Sequence, residues 1–314
     1  MAMSLEEKET PAVNKNTVYS IYGLQARVSS EGKSIEVEAE FNHPFMLHHK
    51  DFRTTNDGSL LHNGIEFISR NPMGTEKLLK SLKELFESEG FKEEYIESPR
   101  TSTHIHVNVQ NRTKEELFTI LVTYYLVEDI LFKYTNESRS DNLFCLPLYA
   151  AEHTSQCLRD LWDEKGDQVR ARFNIYKYAA LSIANVARLG TIEFRHLEGT
   201  RNLPKIAGWL DLIDRIYSSY KIFANMGEAY SEYQRSPVDF VRKVFGDRAD
   251  AMLSVRAEER SEINMTKVFE IVDYPNVPKK EIVSYQFKSS KQADDLKFDA
   301  YLNGPLYKTT PMEL

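Results

Sequence analysis

The stretch Ser34-Ile35-Glu36-Val37-Glu38-Ala39-Glu40-Phe41 constrains this chain more than any other part of it. Apolar and acidic residues alternate without a break, so Ile35, Val37, Ala39 and Phe41 face one side of a strand and Glu36, Glu38 and Glu40 the other. Same-face residues recur about every 6.6 to 6.8 Å along a strand, so three successive carboxylates repel one another unless a cation lies among them. A chain that keeps this pattern needs a sheet with one apolar face and a use for the acidic one.

Three further stretches alternate in the same way. Gly64-Ile65-Glu66-Phe67-Ile68 follows an Asn56-Asp57-Gly58-Ser59 turn signal, residues 103–109 set His104, His106 and Asn108 against Ile105, Val107 and Val109, and residues 191–197 put Glu193 and Arg195 on a polar face. Any one of these, read alone, is an ordinary half-solvated strand. Together they offer Glu36, Glu38, Glu40, Glu66, His104, His106, Asn108, Glu193 and Arg195 without one lysine. Carboxylates with an imidazole suit Mg²⁺ or Mn²⁺, and Arg195, two residues after Glu193, suits the oxygens of a phosphate. The combination points to phosphoryl transfer, in which catalysis is mainly positioning and charge neutralisation. Neither G-x-x-x-x-G-K-[ST], G-x-G-x-x-G nor H-E-x-x-H occurs, so a nucleotide needs another scaffold.

Helical periodicity separates these strands, which makes the fold class α+β. Residues 75–89 carry Leu78, Leu79, Leu82, Leu85 and Phe86 on one stripe and stop at Gly90. Thr113 and Glu116 form a capping box for a helix with an apolar middle that runs to about Tyr134. Pro204 opens a helix that buries Ile206, Trp209, Leu210, Ile213 and Tyr217 and ends near Ala224, and Ser236-Pro237 opens a shorter one closed at Gly246. Beyond Asp247 the pattern weakens, with a last strand-like piece at residues 281–287. The expected organisation is a flexible leader (1–16), a catalytic unit (17–225) and a helical or extended appendage (226–314).

Composition narrows the functional classes. With 41% hydrophobic and 28% charged residues the chain is an ordinary globular protein, and 40 basic against 47 acidic side chains (net −7) argue against broad binding to nucleic acid or an anionic membrane. No apolar run approaches the roughly 18 residues of a membrane span. Cys145 and Cys157 are too few for a disulfide framework, so a cytoplasmic protein with ordinary thiols is expected. Arg170, Arg172, Arg188 and Arg201 read as solvated, Trp162 and Trp209 as core, and His48, His49, His62 and His153 have no assigned role.

The ordered blocks resemble the amidoligase family of the glutamine synthetase and glutamate-cysteine ligase superfamily. They are Glu38-Ala39-Glu40-Phe41, Asp57-Gly58-Ser59 with Gly64-Ile65-Glu66, His104-Ile105-His106, and Thr191-Ile192-Glu193-Phe194-Arg195 with Gly199-Thr200. The resemblance implies a glutamine synthetase-like antiparallel sheet with helices on one face, its concave other face holding ATP and about two Mg²⁺ (or Mn²⁺) ions. It implies a ligase that joins a small-molecule or peptide carboxylate to an amine through an acyl phosphate. By the same resemblance Glu38, Glu40, Glu66, His104 and Glu193 are the metal ligands, and His106 and Arg195, with Glu40, hold the cofactor. Glu38, Glu193, Arg195 and Asp57 serve catalysis, with Asp57 near the substrate.

The sequence departs from the family pattern in two places. Glu36 stands where glycine is frequent, leaving the acidic pair as Glu36/Glu38 or Glu38/Glu40, and Ser182 follows Tyr178-Ala179-Ala180-Leu181 where asparagine is frequent. A small-molecule kinase, a nucleotide-free metal hydrolase and a binding or structural protein without turnover remain as other readings.

Overall fold

The alternating stretches pair into one antiparallel sheet in the computed structural model, which describes residues 16–24, 32–44, 47–61, 63–135, 139, 142–151, 154–171, 178–254 and 261–276. Its seven strands are β1 (Lys33–Phe41), β2 (Phe52–Thr55), β3 (Ile65–Ser69), β4 (Tyr95–Ile96), β5 (Ser102–Asn108), β6 (Leu181–Ser182) and β7 (Thr191–Glu198). They run in the order β2-β3-β1-β5-β7-β6, and β4 adds to the far end of β1 opposite Glu40 and Phe41. Four of the seven are the strands expected from alternation. The others are two to four residues long, too short to show a period.

Helices cover the apolar face. Ile35, Val37, Ala39, Phe41, Phe67, Ile105, Val107, Ile192 and Phe194 are all buried there, beneath the helices Thr75–Phe86, Lys114–Thr135 and Leu203–Tyr217. The Phe194 ring meets Tyr124 at 5.7 Å and Trp209 at 6.3 Å, and Phe41 meets Phe91 edge-on at 5.3 Å. The Thr113–Glu116 capping box closes in both directions, at 2.9 and 3.2 Å. The helix expected to reach residue 89 ends at Phe86, where the Ser88 hydroxyl donates to the Leu85 carbonyl at 2.6 Å, and Gly90 (φ 85°) instead opens the next turn. The helix expected to reach Ala224 ends at Tyr217 and continues as a 3₁₀ turn over Ser218–Lys221.

Two units divide the chain, Met1–Val272 and Asp273–Leu314, and the sheet lies in the first. Within that unit Met226, Tyr230, Phe240, Phe245 and Met252, on the helices that follow residue 225, share one buried cluster with Phe194 and Trp209. Ser236 and Gly246 (φ 56°) bound the helix Pro237–Phe245 as the sequence predicts. Residues 1–15 of the expected leader, the strand-like piece 281–287, His62, His153 and Arg172 lie outside the described residues. No helix among the described residues is long and apolar enough to cross a membrane.

Candidate metal centre

Strand register sets which polar residues meet. Glu38 on β1 lies opposite Glu66 on β3, Glu36 opposite His104 on β5, and His106 opposite Glu193 on β7. Since opposed residues in an antiparallel pair point to the same face, these six side chains form one patch across four strands. Two sets of donor atoms emerge among the described residues, Glu36–His104–Glu193 and Glu38–Glu66–His104, each with one ligand atom per residue and all within 4.8 Å of one another. The His104 ring lies between them. Its Nδ1 is 3.5 Å from Glu36 Oε2 and 3.4 Å from Glu193 Oε1, while its Nε2 is 3.6 Å from Glu38 Oε1 and 2.6 Å from the Ser102 hydroxyl.

The electrostatics are those of crowded acids held out of water. Burial, then the neighbouring charges of Glu36, Glu38 and Asp57, push the Glu66 carboxyl up to about 8. Burial also acts to raise Glu36, but contact with His104 and His106 outweighs it and holds that carboxyl well below the usual carboxylate range. His106 Nε2 stands 3.1 Å from Glu36 Oε1; burial opposes its charge, yet Glu193 and Glu36 carry its pKa up to about 9. A carboxylate and imidazole set with this much negative charge to neutralise fits a divalent cation.

A family model described as "Putative amidoligase enzyme" matches residues 71–217. This is the amidoligase family to which the sequence blocks point. The matched segment supplies His104, His106, Glu193 and Arg195, whereas Glu36, Glu38, Glu40 and Glu66 precede it and join the amidoligase segment through strand pairing. Comparison with curated proteins found no match.

The remaining expected site residues of this amidoligase-like chain have definite places. Arg195 pairs through Nη1 with Glu193 Oε1 and donates from Nε to the Phe144 carbonyl at 3.1 Å, which fixes its guanidinium at the edge of the patch. Glu40 is buried at the β4 end of β1, outside both donor sets, where its Oε1 accepts from the Leu61 amide at 2.8 Å. Asp57 accepts from the Ser59 amide at 2.7 Å and shapes its own turn, near enough to raise Glu66. Ser182 lies opposite Glu193. Arg170 is tied to the Tyr22 and Ala187 carbonyls, and Arg201 lies 4.5 Å above the Tyr95 ring.

Two residues at the centre escape a sequence reading. Ser102 is buried and gives both its amide (2.8 Å) and its hydroxyl (2.6 Å) to Glu38 Oε2. Arg139, also buried, donates to the carbonyls of Arg195 (2.9 Å) and His196 (3.2 Å). Those carbonyls belong to an irregularity in the ladder, since Ile105 pairs with Phe194 but Thr103 with Leu197, so Arg195 and His196 both face the single residue His104. The only sequence clue to Ser102 is its place two residues before His104, on the same strand face.

Proposed function

We propose that this protein is an ATP-dependent carboxylate-amine ligase that forms an amide through an acyl phosphate, with Mg²⁺ on the strand glutamates. The observation that carries the reading is the meeting of the two donor sets with Arg195 on one sheet face, partly inside the amidoligase segment. Glu36, His104 and Glu193 would hold one ion and Glu38 and Glu66 the other. Bound there, the ions would neutralise phosphate charge that builds as the γ-phosphoryl group moves.

The chain's own groups have matching tasks. Arg195, half-buried and held by Glu193 and the Phe144 carbonyl, would present its free guanidinium edge to a phosphate oxygen, with His106 as a second cationic donor. In the first step a substrate carboxylate oxygen takes the γ-phosphoryl group and ADP leaves. In the second the amine nitrogen attacks the acyl carbon, phosphate departs with that oxygen, and a carboxylate of the patch accepts the amine proton. The substrates would be a small-molecule or peptide carboxylate and an amine, and two buried cysteines that form no disulfide suit a reducing cytoplasm.

The test is nucleotide consumption over a panel of carboxylates and amines, with the product identified. Amide plus ADP and phosphate is the expected result, reduced about a hundredfold or more in Glu193→Gln, which removes a charged donor from the centre. A stable phosphorylated product would make the protein a kinase instead. An unchanged rate in Glu193→Gln would rule out the proposed site.

A further inference from the structure

Arg195 is held by a neighbouring segment of chain as well as by Glu193. Its Nε donates to the Phe144 carbonyl at 3.1 Å, and its amide donates to the Ala180 carbonyl at 2.9 Å. The Ala180 amide in turn donates to the Leu146 carbonyl, and the Leu146 amide to the Tyr178 carbonyl, each at 2.8 Å. Upstream, Asn142 Oδ1 accepts from the Phe144 amide at 2.8 Å and closes the turn that presents the Phe144 carbonyl. Residues 142–149 thus aim one carbonyl at the guanidinium.

The downstream end of this segment is clamped at Leu148, a buried residue gripped from both sides. Its amide donates to Glu128 Oε2 at 2.8 Å, and Lys267 Nζ donates to the carbonyls of Leu148 at 3.0 Å and Tyr149 at 2.9 Å. Hydrogen bonds to charged groups are roughly twice as strong as neutral ones, so the clamp outweighs any other tie the segment makes. Glu128 belongs to the helix Lys114–Thr135 inside the amidoligase segment, whereas Lys267 lies on the helix Ser261–Asp273, past the end of that segment at residue 217. Val268 and Ile271 seat this later helix in the core, which fixes where the ammonium stands.

We propose that Lys267 is a positioning residue for Arg195: by closing the clamp on Leu148 it keeps the Phe144 carbonyl in place, and that carbonyl sets the plane of the guanidinium. A planar fork is aligned by two ties and can swing on one. Without the Phe144 carbonyl, Arg195 would turn about its pairing with Glu193 and lose its aim at a phosphate oxygen, a displacement of the kind that is costly even when it is small. The inference takes from the ligase reading only the phosphate that Arg195 would contact.

The experiment is a ¹⁵N–¹H correlation spectrum of the arginine Nε–Hε groups in the full chain, recorded without nucleotide, with Arg195 assigned by the signal lost in Arg195→Lys. In Lys267→Met the Arg195 signal should shift and its hydrogen should exchange with water about tenfold faster, while Lys267→Arg, which keeps a cationic donor, should retain the wild-type signal. The same Met variant should bind a non-hydrolysable ATP analogue in Mg²⁺ about tenfold more weakly and Mn²⁺ alone as tightly as the wild type, a separation that a general loss of stability does not produce. An unmoved Arg195 signal in folded Lys267→Met would overturn this proposal and leave the ligase reading intact. Failure of the wild type to bind the analogue would overturn the ligase reading, and the Nε–Hε signal would still decide the positioning. Should Lys267→Met fail to fold, Lys267→Gln, one bond shorter and uncharged, takes its place, and a wild-type Arg195 signal there would overturn the proposal equally.

Discussion

His196 occupies a place where a charged imidazole is not tolerated. Fully buried between Phe132 (4.6 Å) and Trp209 (5.3 Å), it meets through Nε2, at 3.0 Å, a Tyr124 hydroxyl whose proton goes to Glu128. Burial first, and the nearby Arg139 second, lower its pKa from 6.5 to about 3. The unfolded chain takes up a proton below 6.5 that the folded chain refuses until about 3. His196 therefore costs the protein nothing above 6.5 and costs about 1.4 kcal/mol per pH unit as the pH falls below it. Urea melts between pH 7 and 4 should show a shallower loss of stability in His196→Gln than in the wild type; parallel curves would contradict this. Glu66 gives a second dependence with the opposite use. Protonated below about 8, it cannot ligate, so cation affinity should rise about tenfold per pH unit up to that value and level off above it, and Glu66→Gln should flatten the profile when Mn²⁺ binding is measured at pH 6.5 and 8.5.

Among the elements, β7 and its irregular ladder do the most to shape the centre. Arg139 satisfies two carbonyls there, and Arg139→Met would leave them buried and unpaired, a loss of about 1 to 3 kcal/mol readable in the urea midpoint. An unchanged midpoint would mean those carbonyls find other partners. At the end of β7 the Gly199 amide donates to the Thr101 carbonyl at 2.8 Å, and a Cβ on Gly199 would collide with the Thr101 side chain. Gly199→Ala should lower the thermal midpoint by several degrees, since about 1 kcal/mol is worth a few degrees in a domain of this size. This close approach explains the Gly199-Thr200 pair that the sequence shows without a reason. Alternation made β1, β3, β5 and β7 legible because each sets apolar residues on one face against polar residues on the other. Register was not legible: nothing in the stretch Glu36 to Glu40 says that Glu36 lands opposite His104 while Glu40 turns to the Leu61 amide. Nor could spacing reveal Arg139, which is far from β7 in the chain and reaches it only in the fold.

At the scale of the whole molecule, one sheet separates two kinds of chemistry. Its apolar face joins a close-packed core that extends from Val18 to Ile271 and backs the side chains of the opposite face. That other face concentrates carboxylates in a chain whose net charge is already −7, a repulsion that bound cations would relieve. Cation binding should then stabilise the entire fold, by about 2.7 kcal/mol at a hundred times the dissociation constant. The most direct test is a titration of Mn²⁺ into the full chain, followed by loss of the free-ion EPR signal with and without a non-hydrolysable ATP analogue. Two saturable sites, one for each donor set, with one abolished in Glu193→Gln, is the predicted result. No saturable binding, or binding indifferent to Glu193→Gln, would contradict the metal centre and the function built on it.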